Sequence, residues 1–98
     1  MKYKRTVKER KVAIERLKLN KKKCPRHNYF GENNHQKIDI MIDVINKERS
    51  PEWIDKTYTS CNKLGEEDIN EHGKWVAAIN ARDYLKGEEE LYGKEYFL

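Results

Sequence analysis

The most apolar stretch of this chain, from Ile38 to Ile45, constrains the fold more than any other feature. Isoleucine, methionine and valine fill six of its eight positions. Charged residues make up 39% of the 98-residue sequence and hydrophobic residues only 37%, so this stretch must supply the centre of a modest core. Ten aromatic residues argue against full disorder.

The spacing inside this stretch allows a helix or a strand. Its apolar residues share a helical face at positions 38, 41, 42 and 45, but they also alternate at positions 38, 40, 42 and 44. Asn33 followed by Gln36 has the spacing of a helix-capping box, and no hairpin partner is evident. We therefore predict a helix that begins near Asn33 or Asn34.

Cap and breaker residues predict further helices on both sides. The first runs from Thr6 to about Lys22 and ends before Pro25, because the residue before a proline disfavours helical conformation. It carries a thin apolar stripe formed by Tyr3, Val7, Ile14 and Leu17.

Two helices are predicted after the central one. Ser50 and Pro51 suit the N-cap and first position of a short helix that reaches about position 60. A loop follows, and a last helix begins at Ile69 or Lys74 and ends before Gly87. Gly73 marks either a kink or the true start of that helix.

Together these elements predict one mainly α domain over residues 1–98, a small bundle of three to four helices. Trp53, Trp75 and Ile79 are the expected core partners of the central helix. We expect residues 1–5 and 93–98 to fray or to take part in self-association, which implies a homo-oligomer.

Charge is distributed unevenly along the chain. Residues 1–28 hold 12 of the 21 Lys and Arg residues but only two of the 17 acidic ones. A basic N-terminal helix joined to an acidic body indicates either an anionic partner or charge pairing within and between copies. Both interpretations stay open.

The lack of a signal-like segment and the low cysteine content predict a cytoplasmic protein. The N-terminus has no signal-like apolar segment, and no stretch approaches the ~18 apolar residues that span a bilayer. Two cysteines do not make a disulfide framework. We therefore predict no membrane association.

Two cysteines and two histidines raise the possibility of a zinc site. Cys24 and His27 have the C-x-x-H spacing, and Cys61 with His72 would complete a tetrahedral set. The second pair is wider than the usual ligand spacings, and His35 is a further candidate. The favoured interpretation is a half-buried cysteine with surface histidines, and therefore no metal or cofactor.

Catalysis by Cys24 is the alternative chemistry. The neighbouring Lys21–Lys23 and Arg26 would lower the pKa of its thiol, and His27 is close in sequence. No third orienting group can be recognised, so we predict a protein that is not an enzyme.

An anion or nucleotide could bind at the start of the second helix. Free backbone N–H groups there lie beside several polar and basic residues. Nucleic acid is also possible, with Tyr29 and Phe30 stacking on bases, although plugging the core is the favoured role for these aromatics. The candidate anion-binding residues are Lys21, Lys22, Lys23, Arg26, His27, Asn33 and Asn34.

Three segments together resemble small uncharacterised proteins of tailed bacteriophages. They are an N-x-F-G-E-N-N turn, an I-D-x-x-I-x-V helix and an A-x-x-A-R-x-Y-L-x-G segment. The matching residues are Asn28, Phe30, Gly31, Glu32, Asn33, Asn34, Ile38, Asp39, Ile42, Val44, Ala78, Ala81, Arg82, Tyr84, Leu85 and Gly87.

This resemblance implies a phage accessory protein that binds and modulates a host or anti-phage defence factor in the bacterial cytoplasm. Its ligand is not implied. The apolar carboxyl terminus usually docks, either on its own core or on a neighbouring subunit. Tyr92, Tyr96 and Phe97 are therefore the predicted protein-interaction residues.

Overall fold

The computed structural model describes residues 3–60 and 68–97, and within these ranges the chain is mainly helical, as predicted. Helix α2 packs against both α1 and α4, and the short α3 packs against α4. The central position predicted for the isoleucine-rich segment is therefore confirmed. The elements are α1 Val7–Lys23, α2 Asn34–Lys47, α3 Pro51–Thr57, α4 Ile69–Lys86 and a 3-10 helix Lys94–Phe97.

Helix α2 is capped at the predicted residue. The Asn33 side chain accepts a hydrogen bond of 3.0 Å from the backbone N–H of Gln36. The Asn33 N–H donates to Oδ1 of Asn70 in α4 at 3.1 Å. The cap thus ties α2 to α4. Five apolar side chains of α2 are buried: Ile38, Ile40, Met41, Val44 and Ile45.

Helix α1 lies on the surface and buries little of itself. Thr6 and Glu9 form a reciprocal capping box at its start, a signal that the sequence analysis missed. Ala13 and Leu17 are its buried apolar residues. Val7 is 58% exposed, so its place in the predicted apolar stripe was wrong. The helix ends directly before Cys24, as Pro25 requires.

Helix α3 begins where Ser50 and Pro51 predicted it. The Ser50 side chain accepts a hydrogen bond of 3.1 Å from the N–H of Trp53. The helix ends at Thr57, short of the predicted position. Ile54 is fully buried, while Trp53 is partly buried and packs against the core.

Helix α4 starts at Ile69, and Gly87 follows its last residue in the left-handed conformation, with φ of 79°. Gly73 lies inside the helix, so it neither starts nor visibly interrupts it. Ile79 packs against the core as predicted. Trp75 is only partly buried and lies outside the core cluster of the described residues, so its prediction as a core partner was wrong. The loop predicted before α4 lies largely outside the described residues.

Residues 3–5 contact the body of the protein, while the predicted fraying of residues 1–5 stays a prediction. The Lys4 N–H donates to the carbonyl of Leu85 at 3.0 Å. The Arg5 Nε donates to the carbonyl of Tyr84 at 2.8 Å, and its guanidinium lies 4.2 Å from the centre of that ring. At the other end, Phe97 is fully buried in the core of its own chain.

Candidate functional site

The turn between α1 and α2, residues 28–32, is held in one conformation by its own hydrogen bonds. The Asn28 side chain accepts the N–H groups of Phe30 and Glu32, both at 2.9 Å. The Gly31 N–H donates to the Asn28 carbonyl at 3.0 Å, and Gly31 has a positive φ of 90°, which glycine adopts without strain. An isolated bridge between His27 and Asn33 closes the base of the turn.

Tyr29 and Phe30 point away from this turn into solvent. Tyr29 is 91% exposed and Phe30 is 68% exposed. Their rings meet edge to face, with centroids 5.3 Å apart and planes at 88°. The prediction that they plug the core was therefore wrong. We call residues 28–32, with these two rings, the aromatic turn.

A buried ion pair occupies the space behind the aromatic turn. Oε1 of Glu32 accepts hydrogen bonds from the Asn28 side chain at 2.7 Å and from Nζ of Lys37 at 3.4 Å. The Lys37 side chain is only 1% exposed and that of Glu32 only 11%. This pair joins the aromatic turn to α2, so the exposed rings project from a supported base.

Helix α4 and the C-terminal segment close over the ion pair. Gly73 leaves room for it, since a Cβ there would lie 2.5 Å from Oε2 of Glu32. Nζ of Lys37 lies 4.0 Å from the centre of the Tyr96 ring. Burial lowers the pKa of Lys37, and the Glu32 carboxylate opposes that shift. Burial also raises the pKa of Tyr96 strongly.

The predicted basic residues are placed in different surroundings. Lys21 forms an ion pair of 2.8 Å with Asp39, and Lys22 is exposed at the end of α1. Arg26 and His27 are exposed beside the aromatic turn. Lys23 lies apart from them, along a groove between α1 and the C-terminal segment.

Several of the groups predicted to bind an anion at the start of α2 form hydrogen bonds within the chain. Asn33 caps the helix, and its N–H is bound by Asn70. Asn34 is fully buried, and its side-chain amide donates to the carbonyls of Pro25 and Phe97. The Asn34 side chain is therefore unavailable to an anion in this conformation, while an anion site that uses Asn33 and the exposed basic residues stays a prediction.

Neither a metal nor a reactive thiol is supported by the described residues. Within residues 3–60 and 68–97, no three His, Cys, Asp or Glu side chains converge in a way that could hold a metal ion. Cys61 lies outside these ranges, so the complete Cys24, His27, Cys61 and His72 set stays a prediction. Burial raises the pKa of the Cys24 thiol, the opposite of the expected effect of its basic neighbours.

The predicted C-terminal interaction residues form an aromatic cluster on the body of the protein. Tyr92 and Tyr96 are half-buried, with ring centroids 4.2 Å apart. The Phe97 ring is fully buried against the core, 5.0 Å from that of Tyr96. In this conformation Phe97 contacts its own chain and presents no surface to a partner.

Comparison of the chain with protein-family models, curated proteins and solved structures finds no match. The resemblance to phage proteins therefore stays a prediction. No helix in the described ranges has the length and apolar character needed to cross a membrane.

Proposed function

We propose that this chain is a non-enzymatic binding protein that contacts a protein partner through the aromatic turn. The observation that carries the proposal is the exposure of Tyr29 and Phe30 on a turn whose backbone is already fixed. Two large rings exposed side by side, without burial in their own fold, are typical of an interaction surface.

The fixed turn favours binding because little conformational entropy is lost when the rings are buried. Asn28 holds the backbone through two side-chain hydrogen bonds, and the Glu32–Lys37 pair supports it from behind. Rigid aromatic side chains bury large contact areas at low entropic cost, and a few such anchors dominate many interfaces.

Charge beside the turn narrows the class of partner. Arg26 and His27 are exposed next to the rings, and Lys22 is exposed in the last turn of α1. Glu32, the acidic residue of the turn, is neutralised by Lys37. A complementary surface would offer an apolar pocket for the rings with acidic residues at its edge.

The phage resemblance suggests where such a partner is found. We propose a host or anti-phage defence protein in the bacterial cytoplasm, modulated through this contact. Self-association through the half-buried Tyr92 and Tyr96 stays part of the proposal.

The test is affinity capture from nuclease-treated bacterial extract, followed by binding of the purified partner. We expect the wild-type chain to bind in a fixed stoichiometry and the Tyr29→Ser/Phe30→Ser variant to lose at least tenfold in affinity, about 1.4 kcal/mol. The matched control is Val7→Ser/Val12→Ser, which removes two exposed apolar residues of α1. Equal affinities for the wild type and the turn variant would overturn the proposal.

Nucleic acid is the second candidate, because the edge-to-face pair leaves ring faces free and α1 is strongly basic. Base stacking on an aromatic residue contributes about 1–3 kcal/mol. Fluorescence anisotropy of labelled oligo(dT) at low and moderate salt separates the candidates. Steeply salt-dependent binding that weakens in the turn variant favours single-stranded nucleic acid, and no binding at low salt removes it.

A further inference from the structure

A groove of about 700 Å³ runs between α1 and the C-terminal segment, residues 90–97. Leu17 and Phe97, both buried, close its floor, and Leu19, which is 53% exposed, supplies apolar surface on the α1 side. Leu91, which is half-buried, extends this apolar surface along the far wall. The volume falls in the range of about 300–1,000 Å³ that is usual for small-molecule sites.

One polar stripe of α1 borders the groove. Arg16, Asn20 and Lys23 follow one another at spacings of four and three residues, so their side chains lie along the same face of the helix. Within the described parts of the chain, no carboxylate pairs with Arg16 or Lys23. Their two positive charges are therefore available to a ligand.

The opposite wall carries one carboxylate, that of Glu90. It lies 3.4 Å from a guanidinium nitrogen of Arg5 and is otherwise turned to solvent, with 78% of the side chain exposed. The groove therefore has two positive side chains on the α1 side and one carboxylate, weakly paired with Arg5, on the other.

A buried side chain holds the far wall in place. Asn80 of α4 is 1% exposed, and its amide nitrogen donates to the carbonyl of Glu90 at 3.2 Å. Its amide oxygen accepts the N–H of Tyr92 at 3.0 Å. Farther along, the Asn34 amide donates to the carbonyl of Phe97. Because buried groups fix the segment at both ends, the groove is formed before any ligand arrives.

We propose that this groove binds a small amphipathic anion, with its apolar body on Leu19 and Leu91 and its anionic head between Arg16 and Lys23. The head is a carboxylate, sulfonate or phosphate, and all three accept hydrogen bonds from guanidinium and ammonium groups. This site is separate from the aromatic turn and does not depend on the proposed protein partner.

Two matched probes test the proposal directly on the full chain. 8-Anilinonaphthalene-1-sulfonate carries the anionic head, and N-phenyl-1-naphthylamine has the same aromatic body without the charge. Both fluoresce in apolar sites, so titrations report affinity and stoichiometry. We expect one site for each probe, with tighter binding of the sulfonate.

The Arg16→Gln/Lys23→Gln variant should weaken sulfonate binding by about fivefold while leaving binding of the uncharged probe unchanged, since two partly solvated charge contacts are lost. The matched control, Lys18→Gln/Lys22→Gln, removes two exposed charges of the same helix that do not line the groove. It should leave both affinities unchanged.

A second variant, Asn20→Trp, places a large ring in the groove from the α1 wall and should weaken binding of both probes. Thermal unfolding of each variant confirms that it is folded, because loosened proteins also bind such dyes. Three results would overturn the proposal: no binding of either probe, equal weakening of the sulfonate in the control variant, or unchanged binding in Asn20→Trp. Binding of only the uncharged probe would also overturn it.

Discussion

Lys37 and Glu32 form a buried ion pair, with 3.4 Å between Nζ and Oε1. Charges of this kind are rarely buried without a partner, because desolvation costs several kcal/mol per ion. Here the pair joins the aromatic turn to α2 and lies under α4 and the Tyr96 ring. We therefore expect loss of this ion pair to affect both the stability of the fold and the proposed binding surface.

Removing one member of this pair should destabilise the protein strongly. We expect Lys37→Met to lower the free energy of unfolding by about 3 kcal/mol, because the Glu32 carboxylate is left buried without its partner. The Lys37→Met/Glu32→Gln variant should recover part of this loss. Urea unfolding followed by circular dichroism measures both.

The control for the buried ion pair is Lys21→Met, which also replaces a lysine by methionine, but in the more exposed ion pair with Asp39. Its effect should stay within about 1 kcal/mol, as is usual for surface pairs. Equal losses for Lys21→Met and Lys37→Met would contradict the importance assigned to burial.

Substitution by alanine should destabilise the protein strongly at Phe97 and hardly at all at Phe30. Phe97→Ala should cost about 3–5 kcal/mol, because a fully buried ring is replaced by a cavity. Phe30→Ala should change the free energy of unfolding by less than about 0.5 kcal/mol, because its ring is 68% exposed. Thermal or urea unfolding decides this, and a large loss for Phe30→Ala would restore the core-plug interpretation.

Tyr96 should make stability fall in alkaline solution. Burial raises its pKa in the folded state above the usual value of 10.0, so the folded chain keeps a phenolic proton that the unfolded chain releases. The contribution of the protonated Tyr96 side chain to the free energy of unfolding is therefore fully present below pH 10.0. It is lost as the pH rises further.

The measurement for Tyr96 is urea unfolding from about pH 8 to 11, compared with Tyr96→Phe. This variant keeps the ring beside Lys37 and should lose less stability over that interval. The pKa of Lys37 is lowered and acts in the opposite direction, but it is present in both chains and largely cancels. Parallel pH profiles for the two proteins would show that Tyr96 titrates normally.

Asn80 should hold the C-terminal segment that forms the far wall of the groove. Asn80→Ala removes two hydrogen bonds and leaves the Glu90 carbonyl and the Tyr92 N–H unpaired, which we expect to cost about 2 kcal/mol. Hydrogen exchange of the Tyr92 amide should accelerate at the same time. Asn46→Ala, at an exposed position of α2, is the control. It should leave the free energy of unfolding and the exchange rate of the Tyr92 amide unchanged.

Local residues of the sequence determined the helices and most of their ends. Thr6, Asn33 and Ser50 cap the helices through bonds that span three residues, and Gly87 ends α4 through its own backbone conformation. Pro25 excludes the residue before it from the helix. Such interactions depend on neighbours in the chain, so the helical class and the central place of α2 could be predicted from the sequence.

Only the tertiary structure decided which side chains are buried. Tyr29 and Phe30 are exposed, whereas Glu32 and Lys37 form a buried ion pair behind them. No local pattern indicates that a lysine will be buried or that Phe97 will return to the core. These outcomes depend on contacts between residues far apart in the chain, and so does the groove between α1 and the C-terminal segment.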